Sequence, residues 1–274
     1  MTEFGRRAAV LGKPIAHSLS PVIHNAGYAA AGLTGWSYTA IECAEAELPD
    51  LVAGLGAEWA GLSLTMPLKE AALTVAGEVS PVAAAVGAAN TLVRRPDNSW
   101  YADNTDVPGM ATVLRAAGVS AGATVTVLGA GGTARAALAA AAQLDAKRVT
   151  VVARRPEAVD ELRPAARTLG VALAPGTWAE ATEHTTADVV ISTVPKGVAD
   201  GIAGQVDWTP STVLFDALYD PWPTPLAASA AAAGCRIVSG LDLLLAQAVG
   251  QFEHFTGVPA PVSAMRTALT AARS

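Results

Sequence analysis

Cysteine and long apolar runs are scarce in this sequence of 274 residues. Its two cysteines, Cys43 and Cys235, lie far apart, without a C-x-x-C pair or a histidine-rich neighbourhood. This spacing predicts neither a disulfide framework nor a metal site, and it fits a reducing cytoplasm. The longest apolar run, residues 136–142, is well short of the roughly 18 residues that a membrane-spanning helix needs. The apolar stretch at residues 8–12 is also too short for the core of a signal peptide, so we expect no membrane partner.

Positive charge is in short supply as well. The chain has 18 basic and 24 acidic side chains, a formal charge of −6, and no block of four or more lysines and arginines. Because nucleic-acid binding depends on cations that displace counterions from phosphates, we expect no nucleic-acid partner. Lysine is so rare beside arginine that each lysine is a candidate for a chemical role.

What the sequence does contain is a regular alternation of strand-length apolar runs and helical patterns. This alternation predicts an α/β fold with a largely parallel sheet, and the length suits two moderate domains. Serines followed by prolines, at Ser20 and Ser80, predict helix starts with the serine as N-cap. The helical last 34 residues follow the second domain and are expected to return to the first. The predicted domains are residues 1–105 with 241–274, and residues 106–240. Strands are expected at residues 8–11, 36–41, 60–64, 91–95, 125–128, 148–153, 189–193, 213–216 and 236–238.

A glycine-rich turn opens the second domain directly after a predicted strand. Residues 129–134 read GAGGTA, a G-x-G-x-x-A pattern between a strand and an alanine-rich helix. Gly129 permits the tight turn, and Gly131 lets the backbone approach a pyrophosphate at the helix N-terminus. We therefore predict a Rossmann-type dinucleotide site. The alternative is a glycine-rich connection that only packs the helix on the sheet.

Two arginines follow the second strand of this domain. NAD sites place an acidic residue there for the ribose hydroxyls, whereas this chain has Ala153, followed by Arg154 and Arg155. Guanidinium groups pair well with a 2′-phosphate, so the expected cofactor is NADP. The alternative is a pair of solvated arginines at a strand end.

The polar residues of the first domain cluster in three segments. Ser18 and Ser20 flank a helix start and suit a carboxylate ligand, although Ser20 alone could simply cap that helix. Alternation places Ser63 and Thr65 on one face of a strand. Lys69 follows just beyond, among apolar residues, where its ammonium can donate a proton.

These segments together resemble the shikimate dehydrogenases over nearly the whole chain. Residues 12–25 match G-x-P-I-x-H-S-x-S-P-x-x-H-N at every specified position. Further matches follow in order: T-x-P-x-K at 65–69, G-A-x-N-T at 87–91, D-N-T-D at 103–106, G-A-G-G at 129–132, D-A-L-Y-D-P at 216–221, and Gly240 with Gln247 and Ala248.

The resemblance implies reversible, NADPH-dependent reduction of 3-dehydroshikimate to shikimate, on the route to chorismate and the aromatic amino acids. It makes Lys69 and Asp106 the catalytic pair. Ser18, Ser20, Thr65 and Tyr219 would bind the substrate carboxylate. The ring hydroxyls would be bound by Asn90, Gln247 and the catalytic pair, with Ser63 beside them. The cofactor would be held by Gly129, Ala130, Gly131, Gly132, Thr133, Arg154, Arg155 and Thr193, with Gly240 and Leu243 at the nicotinamide end.

Three positions depart from the family pattern. Ser63 stands where asparagine is usual, so its ligand contact would need a water molecule. Val107-Pro108 follows Asp106 where glycine is usual, which affects the domain junction. Ala153 replaces an asparagine that helps to hold the adenosine end.

Other functions stay open at this point. One is a quinate/shikimate or aminoshikimate dehydrogenase that uses NAD, although Arg154 and Arg155 argue against NAD. Another is a sensor that binds shikimate-like ligands without catalysis, which would not need both Lys69 and Asp106. His17 and His24 look structural in the family pattern, where they fix the loop that carries Ser18 and Ser20, here called the serine loop. The sequence leaves both a monomer and a homodimer open.

Overall fold

Most of the strand-length apolar runs of the sequence form β-strands in the computed structural model, which describes residues 5–146 and 148–273. The strands are β1 (Arg6–Gly12), β2 (Trp36–Glu42), β3 (Trp59–Leu64), β4 (Glu78–Val79), β5 (Thr91–Arg94), β6 (Trp100–Asp103), β7 (Thr124–Leu128), β8 (Arg148–Ala153), β9 (Leu173–Thr177), β10 (Val189–Ser192), β11 (Val213–Asp216) and β12 (Arg236–Ser239). The α-helices are α1 (Ser20–Ala30), α2 (Leu48–Ala53), α3 (Ala72–Val75), α4 (Pro81–Val86), α5 (Asp106–Ala116), α6 (Gly132–Gln143), α7 (Pro156–Asp160), α8 (Arg163–Thr168), α9 (Asp200–Ala203), α10 (Pro225–Ala232), α11 (Gly240–Thr256) and α12 (Val262–Ala271).

The chain divides into two units. The first comprises Met1–Asp106 and Leu244–Ser274, and the second comprises Val107–Leu243. The predicted boundaries, 105 and 240, fall one and three residues earlier than the observed 106 and 243. Residues 1–4 and 274, at the ends of the predicted first domain, lie outside the described residues, as does Lys147.

The first unit contains a mixed sheet in the order β2-β1-β3-β5-β6-β4. Strands β1, β2 and β3 are parallel, whereas β5 is antiparallel to both β3 and β6. The sequence pattern did not predict β6, which forms a hairpin with β5. Its turn is set by Asp97, whose carboxylate accepts hydrogen bonds from the backbone and hydroxyl of Ser99 at 2.9 and 2.7 Å. The expectation of a largely parallel sheet is therefore too simple for this unit.

The second unit contains a fully parallel sheet in the order β12-β11-β10-β7-β8-β9. Two of its interior strands, β10 and β11, are buried at every position, as expected for strands covered on both faces. The edge strand β9 was not predicted, because Pro175 and Gly176 interrupt its pattern. Both residues are tolerated at a sheet edge, where one side of the backbone needs no ladder partner.

Helix α12 and most of helix α11, from Leu244 onward, belong to the first unit. Helix α12 packs against α1, and the two elements approach closely at Gly27. A Cβ atom on Gly27 would come within 2.9 Å of Phe252 and 3.2 Å of Met265, so glycine lets α1 approach both C-terminal helices. Among the described residues, no helix is long and apolar enough to cross a bilayer.

Candidate functional site

The serine loop before α1 differs in one respect from the prediction. Ser20 is the first residue of the helix rather than its N-cap, which is Leu19 and makes no side-chain cap. The hydroxyl oxygen of Ser18 instead accepts a hydrogen bond from the backbone N–H of Ser20, at 3.3 Å. Ser18 thus satisfies one of the backbone N–H groups at the start of α1, which have no partner within the helix. The N-cap interpretation is correct for Ser80, whose hydroxyl accepts from the Ala83 N–H at 3.0 Å.

Lys69 and Asp106 form an ion pair in the first unit. The Nζ atom of Lys69 lies 2.7 Å from Oδ2 of Asp106, and the two side chains are 31% and 13% exposed. The loop before Asp106 is held by Asn104, whose Oδ1 accepts from the Asp106 N–H at 3.1 Å. The backbone carbonyl of Lys69 accepts from the Ala89 N–H at 2.7 Å. Two loops that are distant in sequence thus present an ammonium and a carboxylate within proton-transfer distance.

Asn90 is tied to the segment that carries Asp106, and its amide oxygen is engaged by the protein. Its side chain is buried, and its Oδ1 accepts hydrogen bonds from the Thr91 hydroxyl at 2.8 Å and from the Thr105 backbone N–H at 2.8 Å. The Thr105 hydroxyl also donates to it, at 3.1 Å. Asn90 is therefore bound both to its own strand and to the residue that precedes Asp106.

The other predicted substrate residues are distributed between the two units. Gln247 is buried on α11, and its Nε2 donates to the Leu244 carbonyl at 2.8 Å. Thr65 is half-buried after β3, with its methyl group against Gly12. Tyr219 belongs to the second unit, in the segment after β11. Asp216 holds that segment: its carboxylate accepts from the Thr224 hydroxyl at 2.6 Å and the Leu218 N–H at 3.1 Å.

The hydroxyl of Ser63 is engaged within the protein. It is buried; its hydroxyl accepts from the Tyr38 hydroxyl at 2.6 Å and donates to Oε1 of Gln251 at 2.6 Å. Its single proton is committed to Gln251, so Ser63 has no hydrogen left to donate to a ligand. Sequence reasoning missed Gln251. The available signal was its position one helical turn after Gln247.

His24 is a buried residue of the first unit. Its ring is fully buried and stacks on Tyr38, with the ring centres 4.1 Å apart and the planes 4° from parallel. Neither ring nitrogen makes a hydrogen bond of normal geometry among the described residues. Burial lowers the pKa of His24 to about 3, which the nearby Gln251 side chain offsets only in part. His17, in contrast, is exposed.

We expect His24 to make the protein sensitive to acid. The pKa of His24 is about 3 in the folded protein and 6.5 for an unperturbed histidine, as in the unfolded chain. Below pH 6.5 the unfolded chain therefore binds a proton that the folded chain does not bind. Stability is therefore lost as the pH falls through this window, by about 2 kcal/mol between pH 8 and pH 5. Urea unfolding at both pH values measures the loss. His24→Phe, which keeps the stacking on Tyr38, should show a loss smaller by this amount; an equal loss in both proteins would contradict the assignment.

The second unit has a cleft of about 640 Å³ at the carboxyl ends of its central strands. The predicted cofactor residues Gly129, Ala130, Gly131, Arg154, Arg155 and Thr193 line it, together with Ala153, Ala158, Trp178, Val194, Pro195 and Val198. The glycine turn and the arginine pair, two separate signals in the sequence, meet in one cavity. Trp178 was not predicted, because it lies in a short 3₁₀ turn that no motif marks.

The glycine turn has the geometry that a close-bound anion requires. Gly129 has a φ of 104° and lies against Thr193, so a Cβ there would come within 2.6 Å of the Thr193 hydroxyl. Gly131 is the N-cap of the 12-residue helix α6, and a Cβ atom added to it would meet no described protein atom within 4 Å. The first turn of α6 is thus open above Gly131, where backbone N–H groups and the helix dipole favour negative charge.

Several predicted cofactor residues also make structural contacts within the second unit. The Thr193 hydroxyl donates to the Leu128 carbonyl at 2.9 Å. Gly240 packs against the Ala217 carbonyl, with which a Cβ atom would clash, and Leu243 is part of the hydrophobic core of the second unit. Gly132 and Thr133 form the first turn of α6.

Pro108 lies in the first turn of α5, where its missing N–H removes no intrahelical bond.

Three family models match the chain. The shikimate dehydrogenase substrate-binding domain matches residues 10–92, and the shikimate 5′-dehydrogenase C-terminal domain matches residues 240–270. A model described as NADP oxidoreductase, coenzyme F420-dependent, matches residues 124–218, which contain the cleft of the second unit.

Individual relatives match nearly the full length. The NADP(+) shikimate dehydrogenase of Caulobacter vibrioides is 41% identical over 92% of this chain and 90% of its own. The crystal structure of the Mycobacterium tuberculosis shikimate dehydrogenase is 49% identical, with a TM-score of 0.89 over 97% of this chain and 99% of that chain. A Thermus thermophilus shikimate 5-dehydrogenase, solved with NADP(H) and shikimate, is 31% identical, with a TM-score of 0.85 over 97% and 99%.

Proposed function

The chain belongs to the shikimate dehydrogenase family, as its motifs predicted, and on this premise we propose that it reduces 3-dehydroshikimate to shikimate reversibly with NADPH. The single observation that supports catalysis most directly is the Lys69–Asp106 pair, with 2.7 Å between ammonium and carboxylate. A protein that only sensed such ligands would not need a proton donor paired with a carboxylate in this way.

The two residues of the pair have distinct tasks in the proposed reaction. Bound NADPH supplies the hydride. As the carbonyl carbon of the substrate accepts it, negative charge develops on the oxygen, and Lys69 stabilises and protonates that oxygen. Asp106 holds the ammonium in position and takes part in the return of the proton. Because the two groups share a hydrogen bond of 2.7 Å, we assign proton transfer to the pair, with Lys69 as the donor.

The remaining substrate contacts follow from the donors that the structure leaves accessible. Half-exposed Ser18 and Thr65 suit the substrate carboxylate, with Ser20 at the first turn of α1. Tyr219 remains a predicted carboxylate ligand, and Asn90 and Gln247 remain predicted ligands of the ring oxygens. Ser63 is the exception: we assign it to the buried side-chain network behind the site.

The residues of the second unit fit NADP. The open first turn of α6 suits the pyrophosphate, and Arg154 and Arg155 supply positive charge in the same cleft for a 2′-phosphate. Ala153 lines this cleft at the place where an NAD site has an acidic residue. This charge pattern favours NADP over NAD and weighs against the quinate/shikimate alternative that uses NAD.

A cytoplasmic location also belongs to this proposal. Cys43 and Cys235 are both buried free thiols, as expected of a protein that works in a reducing compartment. The homodimer that the sequence left open stays a prediction.

A cofactor and substrate matrix tests the function. NADPH and NADH are offered with 3-dehydroshikimate, 3-dehydroquinate and an amino-substituted analogue, and consumption is followed at the absorbance band of the reduced nicotinamide. We expect the highest kcat/KM for NADPH with 3-dehydroshikimate, and loss of turnover in Lys69→Ala. Binding of shikimate without any NADPH consumption would favour the sensor instead.

A further inference from the structure

A continuous series of buried hydrogen bonds crosses the first unit from β2 to β5. We call it the Gln251 network; its members are Tyr38, Ser63, Gln251, Thr91 and Asn90, each at most 4% exposed. The Tyr38 hydroxyl donates to Ser63, and Ser63 donates to Oε1 of Gln251, both at 2.6 Å. The Nε2 of Gln251 then donates to the Thr91 hydroxyl and to the Asn90 carbonyl, both at 3.1 Å. Thr91 in turn donates to Oδ1 of Asn90.

Two backbone groups determine the direction of this network. The Asn90 carbonyl can only accept, so Gln251 must turn its amide nitrogen toward it and its oxygen toward Ser63. The Thr105 N–H can only donate, so Asn90 must turn its amide oxygen toward Thr105. Gln251 also donates to the Thr91 hydroxyl oxygen, which leaves the Thr91 proton for Oδ1 of Asn90 at 2.8 Å, with the Thr105 hydroxyl as a more distant neighbour at 3.3 Å.

The consequence is that Asn90 has its oxygen side fully used by the protein. Its Oδ1 accepts from Thr91 and twice from Thr105, whereas no described residue accepts a hydrogen bond from its amide nitrogen. The group that remains for a ligand is therefore a donor. An N–H donor at this position can bind a ketone oxygen, which can only accept hydrogen bonds. It can also bind the oxygen of a hydroxyl group.

We propose that Gln251 is a positioning residue: through Thr91 and the Asn90 carbonyl it supports the orientation that the Thr105 N–H imposes on Asn90, with the amide nitrogen toward the substrate, so that this position selects a ring oxygen and rejects a ring ammonium. The proposal rests on the proposed function and specifies its substrate class. An ammonium has only N–H groups to present, so against Asn90 it would place donor against donor. The network thereby disfavours the amino-substituted analogue whose ammonium would face Asn90.

The test measures binding of shikimate and of its three monoamino analogues, each with one ring hydroxyl replaced by an ammonium. Calorimetry on the full-length protein without cofactor gives the four dissociation constants. Asn90→Ala identifies the analogue that Asn90 rejects, because discrimination against that one should weaken most. We expect Gln251→Met, which keeps the side-chain length without a polar group, to weaken discrimination against the same analogue by about 10-fold.

Two further variants separate positioning from a general loss of structure. Phe252→Leu alters the next residue of α11, which packs against Gly27 and Tyr28 outside the network, and should leave the discrimination unchanged. Thr91→Val removes the last hydroxyl of the network and should act as Gln251→Met does, even if Gln251→Met fails to fold.

The outcomes distinguish this inference from the function on which it rests. Absence of both shikimate binding and turnover in the unmodified protein would refute the proposed function. Normal binding and turnover, with unchanged discrimination in Gln251→Met or in Thr91→Val, would refute the role of Gln251 alone. Equal weakening against all three analogues, matched by Phe252→Leu, would show a merely structural role and would also overturn it.

Discussion

We expect Lys69→Met to lower kcat about 10³-fold, because the substitution removes the proton donor and retains the packing of the side-chain stem. The loss should appear in both directions of the reaction, since the same group protonates the ketone oxygen and accepts the proton from the alcohol. Affinity for shikimate should fall much less, because the serine loop and Asn90 keep their contacts. Steady-state kinetics in both directions, with calorimetric binding of shikimate, measures the two effects separately.

Two comparisons make this prediction specific. Lys69→Arg keeps the positive charge next to Asp106, but a guanidinium does not release its proton in proteins, so kcat should stay low. Lys13→Met removes another lysine–carboxylate pair of the same unit, with Glu42 at 3.5 Å and both side chains more than half exposed. That variant should retain normal kcat. A Lys69→Met protein with more than about a tenth of the original kcat would exclude Lys69 as the proton donor.

The features predicted well from the sequence are those that neighbouring residues determine. The glycine turn is an example, because a strand, a tight turn and a helix N-terminus follow one another within residues 124–143. Gly129 has the positive φ that the pattern demands, and Gly131 is the N-cap of α6. Arg154 and Arg155 immediately follow β8, which pairs directly with β7. Parallel pairing brings the ends of both strands to one edge, so the arginines and the turn line the same cleft.

The features that were missed depend on contacts between distant residues. Ser63 and Gln251 are 188 positions apart, and neither residue indicates the other in the sequence. Alternation along β3 gave Ser63 the same face as Thr65, but it could not show that Tyr38 and Gln251 would take up its hydroxyl. We therefore assign Ser63 to the buried network rather than to the ligand set.

Local polar competition explains the remaining error. Ser20 and Ser80 both precede a proline at a helix start, and the sequence pattern treats them alike. Ser80 caps its helix, whereas the Ser18 hydroxyl already accepts from the Ser20 N–H, and α1 begins one residue earlier than the pattern indicated. The capping rule holds where only one hydroxyl is within reach of the first turn.

Arg154→Ala should raise the KM for NADPH about 100-fold and leave the KM for NADH nearly unchanged. A guanidinium–phosphate pair is a charge-assisted interaction, and its loss in a partly enclosed cleft amounts to about 2 to 3 kcal/mol. NADH lacks the 2′-phosphate, so each preparation carries its own control for damage to the fold. Arg155→Ala tests the neighbouring cation in the same way.

Arg163→Ala is the matched control for these cleft arginines. Arg163 is an exposed arginine of the same unit that pairs with Asp160 at 2.7 Å, and its removal should alter neither KM. If both Arg154→Ala and Arg155→Ala bind NADPH normally, the arginine pair does not bind the 2′-phosphate. A preference for NADPH over NADH would then come from other residues.

Ala153→Asp provides the opposite test of the same electrostatic argument. The carboxylate would occupy the place at the end of β8 where NAD sites have their acidic residue, and it would repel a 2′-phosphate while accepting hydrogen bonds from ribose hydroxyls. We expect the NADPH preference to decrease, most strongly in the double variant with Arg154→Ala. Rising salt should weaken NADPH binding in the unmodified protein more than in Arg154→Ala, because screening acts on the charge that this variant has already lost.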